Sequence, residues 1–176
     1  ELPSGVVTYG LEPGAHIRGE NFKLTEKGIE FSAKYPAGEL PVSSPLLGKP
    51  NLYNTLASIA VALSLNIPVS AIKEGIASLQ EVPGRFEKIK NTLGLHIFVD
   101  YAHTDDALKN LLETVRELNP KRIILIFGAG GDRDKTKRPR MGEVAGNLAD
   151  WTILTSDNPR SEDPLAIISD IEKGVK

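Results

Sequence analysis

The sequence predicts an α/β fold in two parts, and three patterns along the chain predict it. From Val6 to Ser44, short alternating stretches are punctuated by closely spaced Gly and Pro. From Leu52 to Leu79, apolar residues recur at helical spacing. After Arg85, strand-like and helix-like stretches alternate to the end, which implies a mostly parallel sheet with right-handed crossovers.

In the first part VVTYG, AHIRG, FKL, IEFSA and LPVSS read as strands of an antiparallel meander, which the chain enters at Glu1. A helix follows from Leu52 to Leu65, where Ala and Leu displace the β-branched residues, and Asn66-Ile67-Pro68 ends it. Ser70 stands just ahead of a second amphipathic stretch, AIKEGIASLQ, with Ile72, Ile76 and Leu79 on one face. Val82-Pro83-Gly84 stops that helix and marks a domain border, giving residues 1–82 and 83–176. In the second part FEKIK, HIFVDY, RIILIFG and WTILTS are strands. Helices are expected from Thr104 to Leu118, with Leu108, Leu111, Leu112 and Val115 inward, around Met141 to Asn147, and from Pro164. RIILIF is apolar throughout, as suits a central strand covered on both faces. Residues 1–82 are expected to lack the sheet against which their helices would rest, so the strand Arg122 to Phe127 should be better protected than the helix around Leu56.

Composition narrows the function. At 40% hydrophobic and 25% charged residues the chain is neither disordered nor membrane-embedded in character. It has no cysteine for disulfides or thiolate metal sites, and no apolar run reaches membrane-spanning length. The start, Glu1 to Gly10, lacks a secretory signal pattern, so a cytoplasmic location is expected. A net charge of −2 argues against a generic nucleic-acid binder, so any anion site must be local.

In parallel sheets ligands collect beyond the carboxyl ends of the strands, which singles out three loops. The first, DYAHTDD, carries Asp100 and His103 ahead of a helix start; Thr104 or Asp105 suits the cap, Asp100 suits ribose hydroxyls and His103 a phosphate oxygen. The second, GAGGDRDKTKRPR, joins three glycines to five basic residues and suits an anion, with Arg133 presenting a planar fork; a plain solvated basic loop is the alternative. The third, TSDNPR, is ordinary turn chemistry, yet Asp157, Asn158 and Arg160 together can hold the amine and acid groups of an amino acid. No GxxxxGK[ST] phosphate loop occurs anywhere in the chain.

Taken in order, LLGKPNLYN, VPGRFEKI, FVDYAHT, FGAGGDRDKTKRPRMGEVA and SDNPRSEDP resemble the Mur ligase family across nearly the whole chain. Pro50 stands where an aromatic residue is usual, and Asp105 where proline usually follows YAHT. The resemblance implies that residues 1–82 are the β-meander and two-helix end of a central ATP-binding domain. It implies that residues 83–176 are an incomplete Rossmann-like carboxy-terminal ligase domain with a mostly parallel sheet. The family's phosphate loop would lie before Glu1 and a further motif after Lys176, so the chain is expected to be a piece of a longer enzyme and inactive alone.

The resemblance further implies an ATP- and Mg2+-dependent amide ligase of peptidoglycan synthesis. Its small-molecule substrates would be ATP, a UDP-linked muramoyl dipeptide and a diamino acid, joined through an acyl phosphate by a monomer with no nucleic-acid or membrane partner. Asn54 would contact adenine, while Arg85 and Asp100 would hold the nucleotide. His103 and Arg133 would lie at the reacting centre, and Arg133, Asp157, Asn158 and Arg160 would recognise the amino acid. DNPR looks like the version that accepts meso-diaminopimelate rather than L-lysine. Structural roles stand beside these: Asn54 pairing with backbone, Arg85 bracing a hinge, Asp100 capping the next helix. Rival readings are another ligase of the superfamily, such as a cyanophycin or folylpolyglutamate synthetase, and a non-catalytic nucleotide- or amino-acid-binding module.

Overall fold

The structure is a computed structural model that describes residues 5–25 and 27–175, so the expected entry into the meander at Glu1 lies outside the described residues. It divides into two compact units, Glu1–Tyr101 and Ala102–Lys176. The stretch 83–101 counts with the first unit, where the Asn51 side-chain amide donates to the Arg85 carbonyl (3.4 Å).

In the first unit β1 (Tyr9–Gly10), β2 (Ile17–Thr25), β3 (Gly28–Tyr35) and β4 (Gly38–Ser44) form one sheet in chain order. The ladder β2–β3–β4 is antiparallel as expected, but β1 runs parallel to β2. The cause is a doubling back at 11–16, fastened where the Thr8 N–H donates to His16 Nδ1 (3.0 Å) and the His16 N–H to Thr8 Oγ1 (3.1 Å). AHIRG and FKL prove to be one strand, interrupted by a bulge between Glu20 and Lys23 where Asn21 adopts φ 53. Asn tolerates that left-handed conformation better than most residues.

Alternation along the strands turns Ile29, Phe31, Ala33, Leu40 and Val42 to one face. On it lie α1 (Gly48–Ser64), through Leu52, Leu56 and Ile59, and α2 (Val69–Ser78), through Ile72. The expectation that these helices lack a sheet is therefore overturned: the meander itself is their sheet. Pro50 falls in the first turn of α1, where a missing N–H leaves no bond unmade. Ser70 lies inside α2, which begins directly after Pro68.

FEKIK and HIFVDY do not enter a parallel sheet. They form β5 (Glu87–Ile89) and β6 (Ile97–Val99), an antiparallel pair of their own. The connection 90–96 is too short for a crossover, and Asn91 closes it as a hairpin by donating to the Leu95 carbonyl (2.8 Å) and accepting from the Leu93 N–H (3.0 Å).

The second unit holds α3 (Asp105–Glu117), β7 (Ile124–Phe127), α4 (Lys137–Leu148), β8 (Trp151–Leu154) and α5 (Pro164–Glu172), with β7 and β8 parallel. Thr104 caps α3 by accepting from the Ala107 N–H (3.2 Å). Leu108, Leu112, Leu125, Met141 and Ala145 make the core, and the expected Leu111 and Val115 pack at its margin. At the strand entry Asp150 accepts from the Ile123 N–H (2.7 Å) and from Arg116 (3.1 Å). The strand RIILIF is covered on one face only: Leu125 is buried, while Ile124 and Ile126 are 53% and 63% exposed beside an exposed Trp151 and Ile153. Among the described residues no helix is long and apolar enough to cross a membrane.

These burial patterns reverse the expected order of protection. In this chain the amides of Leu56 to Ala60 should exchange more slowly than those of Ile124 to Phe127. Hydrogen exchange followed by mass spectrometry measures it, and faster exchange in α1 would mean that the meander does not hold the helix.

Candidate functional site

Because β7 and β8 are parallel, the loops that follow them leave the same end of the sheet, and the two loops are sewn together. The Thr155 N–H donates to the Phe127 carbonyl (3.0 Å) and the Gly131 N–H to the Asn158 carbonyl (2.8 Å). Such closeness needs glycine. A Cβ at Gly128 would stand 2.3 Å from the Thr155 carbonyl oxygen, and one at Gly131 would stand 1.8 Å from that of Pro159.

Farther along, the Asp132 N–H donates to Glu162 Oε1 (2.6 Å), while the Asp132 carboxylate accepts from the Ser161 N–H (3.2 Å) and hydroxyl (2.7 Å). Arg160 donates through Nη1 to the Gly131 carbonyl. Asp132 and Arg160 both adopt left-handed backbone, with φ of 52 and 49, a conformation that costs a non-glycine residue about 1–2 kcal/mol. The bonds across the loops offset that strain.

The five basic residues of the glycine-rich loop do not act alike. Lys135 pairs with Glu162 (2.9 Å), Lys137 donates to the His103 carbonyl (2.7 Å), and Arg140 lies 3.7 Å from Asp105. Arg138 is buried, only 1% exposed, between Glu162 (2.9 Å) and Asp170 (3.1 Å). Arg133 alone of the five is exposed with no hydrogen bond or ion pair among the described residues. Most of the positive charge legible in this loop is therefore neutralised within the unit.

Sequence reasoning missed Arg138, Glu162 and Asp170. The signal was there: α4 begins at Lys137, ahead of the expected Met141, and Arg138 shares its inward face with Met141 and Ala145 at helical spacing. The Arg138 guanidinium holds the Glu162 carboxyl down at about 2, with Lys135 and the Asp132 N–H adding to the effect, against an ordinary 4.5. Ser161 lowers Asp132 in the same direction. Removing Arg138 would leave two carboxylates facing each other without their shared cation, which destabilises the unit, though less than breaking a fully buried pair because both still reach water.

The other expected residues of this unit stand where the loops put them. Asp157 and Asn158 are exposed, and the Asn158 side chain accepts from the Arg160 N–H (3.3 Å) in a turn. His103 is exposed immediately before the α3 cap, and its carbonyl is the one that Lys137 grips.

In the first unit a cleft of about 510 Å³ opens between α1, α2 and the stretch that follows. Ile72, Ile76 and Leu79 give it apolar walls, and Asn51, Asn54 and Arg85 its polar groups, so Asn54 and Arg85 line one cleft. Asn54 pairs not with backbone but with the Asn51 side chain (3.2 Å), and buried Asn51 in turn donates to the Leu47 carbonyl (2.8 Å). The Arg85 guanidinium lies 4.9 Å from the centre of the Tyr101 ring. Asp100 does not line this cleft; it accepts from the Phe86 N–H (2.8 Å), beside a Phe86–Phe98 stack at 4.5 Å, and the side chain that caps α3 is that of Thr104.

Comparison with known proteins matches residues 84–176 to the Mur ligase, glutamate ligase domain and residues 1–62 to the Mur ligase middle domain. A UDP-N-acetylmuramoyl-L-alanyl-D-glutamate–2,6-diaminopimelate ligase of Geobacter metallireducens is 48% identical over 171 residues, covering 97% of this chain and 34% of its own length. A solved structure of a ligase of that name is 36% identical, with TM-score 0.58, over 97% of this chain and 35% of its own. The UDP-N-acetylmuramate–alanine ligase of Thermotoga maritima shares the fold, with TM-score 0.75 at 23% identity over 96% of this chain and 37% of its own. The chain thus spans about a third of the length of the curated relatives it matches.

The lowered Glu162 carboxyl sets a pH dependence. Its contribution is fully present above the ordinary value of 4.5 and is lost as pH falls through about 2. The opening free energy of β7 and α4, read from amide exchange, should therefore fall between pH 4.5 and 2 more steeply in the native chain than in Glu162→Gln. Equal slopes would show that the Arg138 cluster does not stabilise this unit.

Proposed function

Because the chain belongs to the Mur ligase family, we propose that it is the nucleotide- and amino-acid-gripping part of an ATP-dependent ligase that adds meso-diaminopimelate to UDP-N-acetylmuramoyl-L-alanyl-D-glutamate in the cytoplasm. The names of the relatives support that substrate pair. The observation that carries the reading to residues is the joined loop pair beyond β7 and β8, which leaves Arg133 without a hydrogen-bond or ion-pair partner among the described residues, beside the DNPR turn. Family matches starting at residue 84 and ending at residue 62 support a border near 82/83 between the middle and ligase domains.

Each residue then has a role. The cleft holding Asn54 and Arg85 is of a size and polarity that suit a nucleobase: apolar walls for the ring faces, the Asn54 amide for the ring edge. Arg85 and Asp100 are assigned to the rest of the nucleotide, and His103 and Arg133 to the charge that builds on transferring phosphate and attacked carbonyl, Arg133 being assigned to the incoming amino acid as well. Asp157 and Asn158 are assigned to the amine of the incoming amino acid. Arg160 is assigned to its distal carboxylate through the guanidinium nitrogens not engaged by Gly131. Among the described residues no group of three or more His, Asp or Glu is arranged to hold a metal ion.

In the full-length protein, Arg160→Ala should cost roughly 2–4 kcal/mol with diaminopimelate. Lysine lacks the second carboxylate, so the ratio of kcat/KM for diaminopimelate over lysine should fall about 30-fold or more. A matched fall for both amino acids would mean that the bond to Gly131 is all that Arg160 contributes. By itself the 176-residue chain, which contains no GxxxxGK[ST] loop, should release no phosphate from ATP above background in a phosphate-release assay; release would overturn the division of labour proposed here.

A further inference from the structure

The bonds between the two strand-end loops are reciprocal. Asp132 accepts twice from Ser161, and Glu162, next to Ser161, accepts from the Asp132 N–H. These contacts flank the two candidate arginines directly, since Arg133 follows Asp132 and Arg160 precedes Ser161. Glu162 is further anchored on both oxygens by Arg138 (2.9 and 3.0 Å) and by Lys135 (2.9 Å). Asp170 holds the same Arg138 (3.1 Å), but from α5, and is bonded to neither Asp132 nor Ser161. A carboxylate that merely kept Arg138 paired would be interchangeable with Asp170.

We propose that Asp132 and Glu162 are positioning residues, a two-way clasp that sets where the guanidinium groups of Arg133 and Arg160 stand and thereby the fit of the amino-acid substrate. The left-handed backbone at Asp132 and Arg160 is the local device: each turns its chain sharply at the edge of the clasp, so a loosened clasp lets the adjoining arginine swing. Neither clasp residue touches the reacting atoms. Their loss acts through misplacement, which weakens binding of the small, two-headed amino acid more than that of ATP, whose assigned residues lie mostly elsewhere. The kinetic half of this proposal rests on the ligase reading above; the structural half does not.

Three variants separate it from plain stabilisation. Asp132→Ala changes an exposed residue and leaves the Arg138 cluster intact, Glu162→Gln weakens the clasp and the cluster together, and Asp170→Asn weakens the cluster alone. In the full-length protein, well below its Tm, KM for diaminopimelate should rise about 10-fold or more in the first two while KM for ATP stays within about twofold, and Asp170→Asn should leave both unchanged. In the 176-residue chain, exchange of the Asp132 and Ser161 amides should quicken by about 10-fold in the clasp variants and not in Asp170→Asn. An unchanged KM in Asp132→Ala, or equal effects of Glu162→Gln and Asp170→Asn, would overturn the positioning role. Absence of diaminopimelate-dependent ligation by the native enzyme would instead overturn the ligase reading, and amide exchange would still decide the clasp.

Discussion

A guanidinium taken out of water must find its compensation inside the protein, and the second unit is organised around that requirement at Arg138. Glu162 and Asp170 supply the charge, from the end of the loop after β8 and from α5. Satisfying one side chain thus fixes the start of α4 and the helix that follows β8. Glu162 transmits the constraint to the glycine-rich loop, because the oxygen that accepts from Arg138 also accepts from the Asp132 N–H. The glycines at 128 and 131 are the counterpart of this arrangement, admitting the backbone contact that the charges hold in place.

The same physics operates more quietly in the first unit. Buried Asn51 must satisfy its amide, and it does so on the Leu47 carbonyl, the Arg85 carbonyl and the Asn54 side chain. One polar group on α1 therefore sets both sides of the apolar cleft to which adenine is assigned. In each unit a buried polar side chain that contacts no ligand in the proposed scheme holds the exposed ones that would.

Charge is accordingly a poor guide when read by counting. Five basic residues in thirteen suggest a strong anion site, yet four of them are used within the unit, on Glu162, Asp170, Asp105 and the His103 carbonyl. What remains for a ligand at this loop is chiefly Arg133. The local density of cations reflects the carboxylates and carbonyls they organise as much as any anion they attract.

By itself the sequence determined the element types, because periodicity is local: the meander strands, α1 and α2, the α3 face of Leu108 and Leu112, and the βα alternation after 120 all follow from side-chain spacing. Motif order carried the family and the loops in which candidate residues lie, since those loops begin where apolar strands end. Partners at a distance were beyond it. That β1 runs parallel, that β5 and β6 pair with each other, and that RIILIF is covered on one face depend on which surfaces meet, which spacing does not encode. The tertiary structure alone decided that Arg138 faces inward and Arg133 outward, because two arginines five residues apart are chemically identical until a carboxylate twenty-four residues farther on closes over one of them.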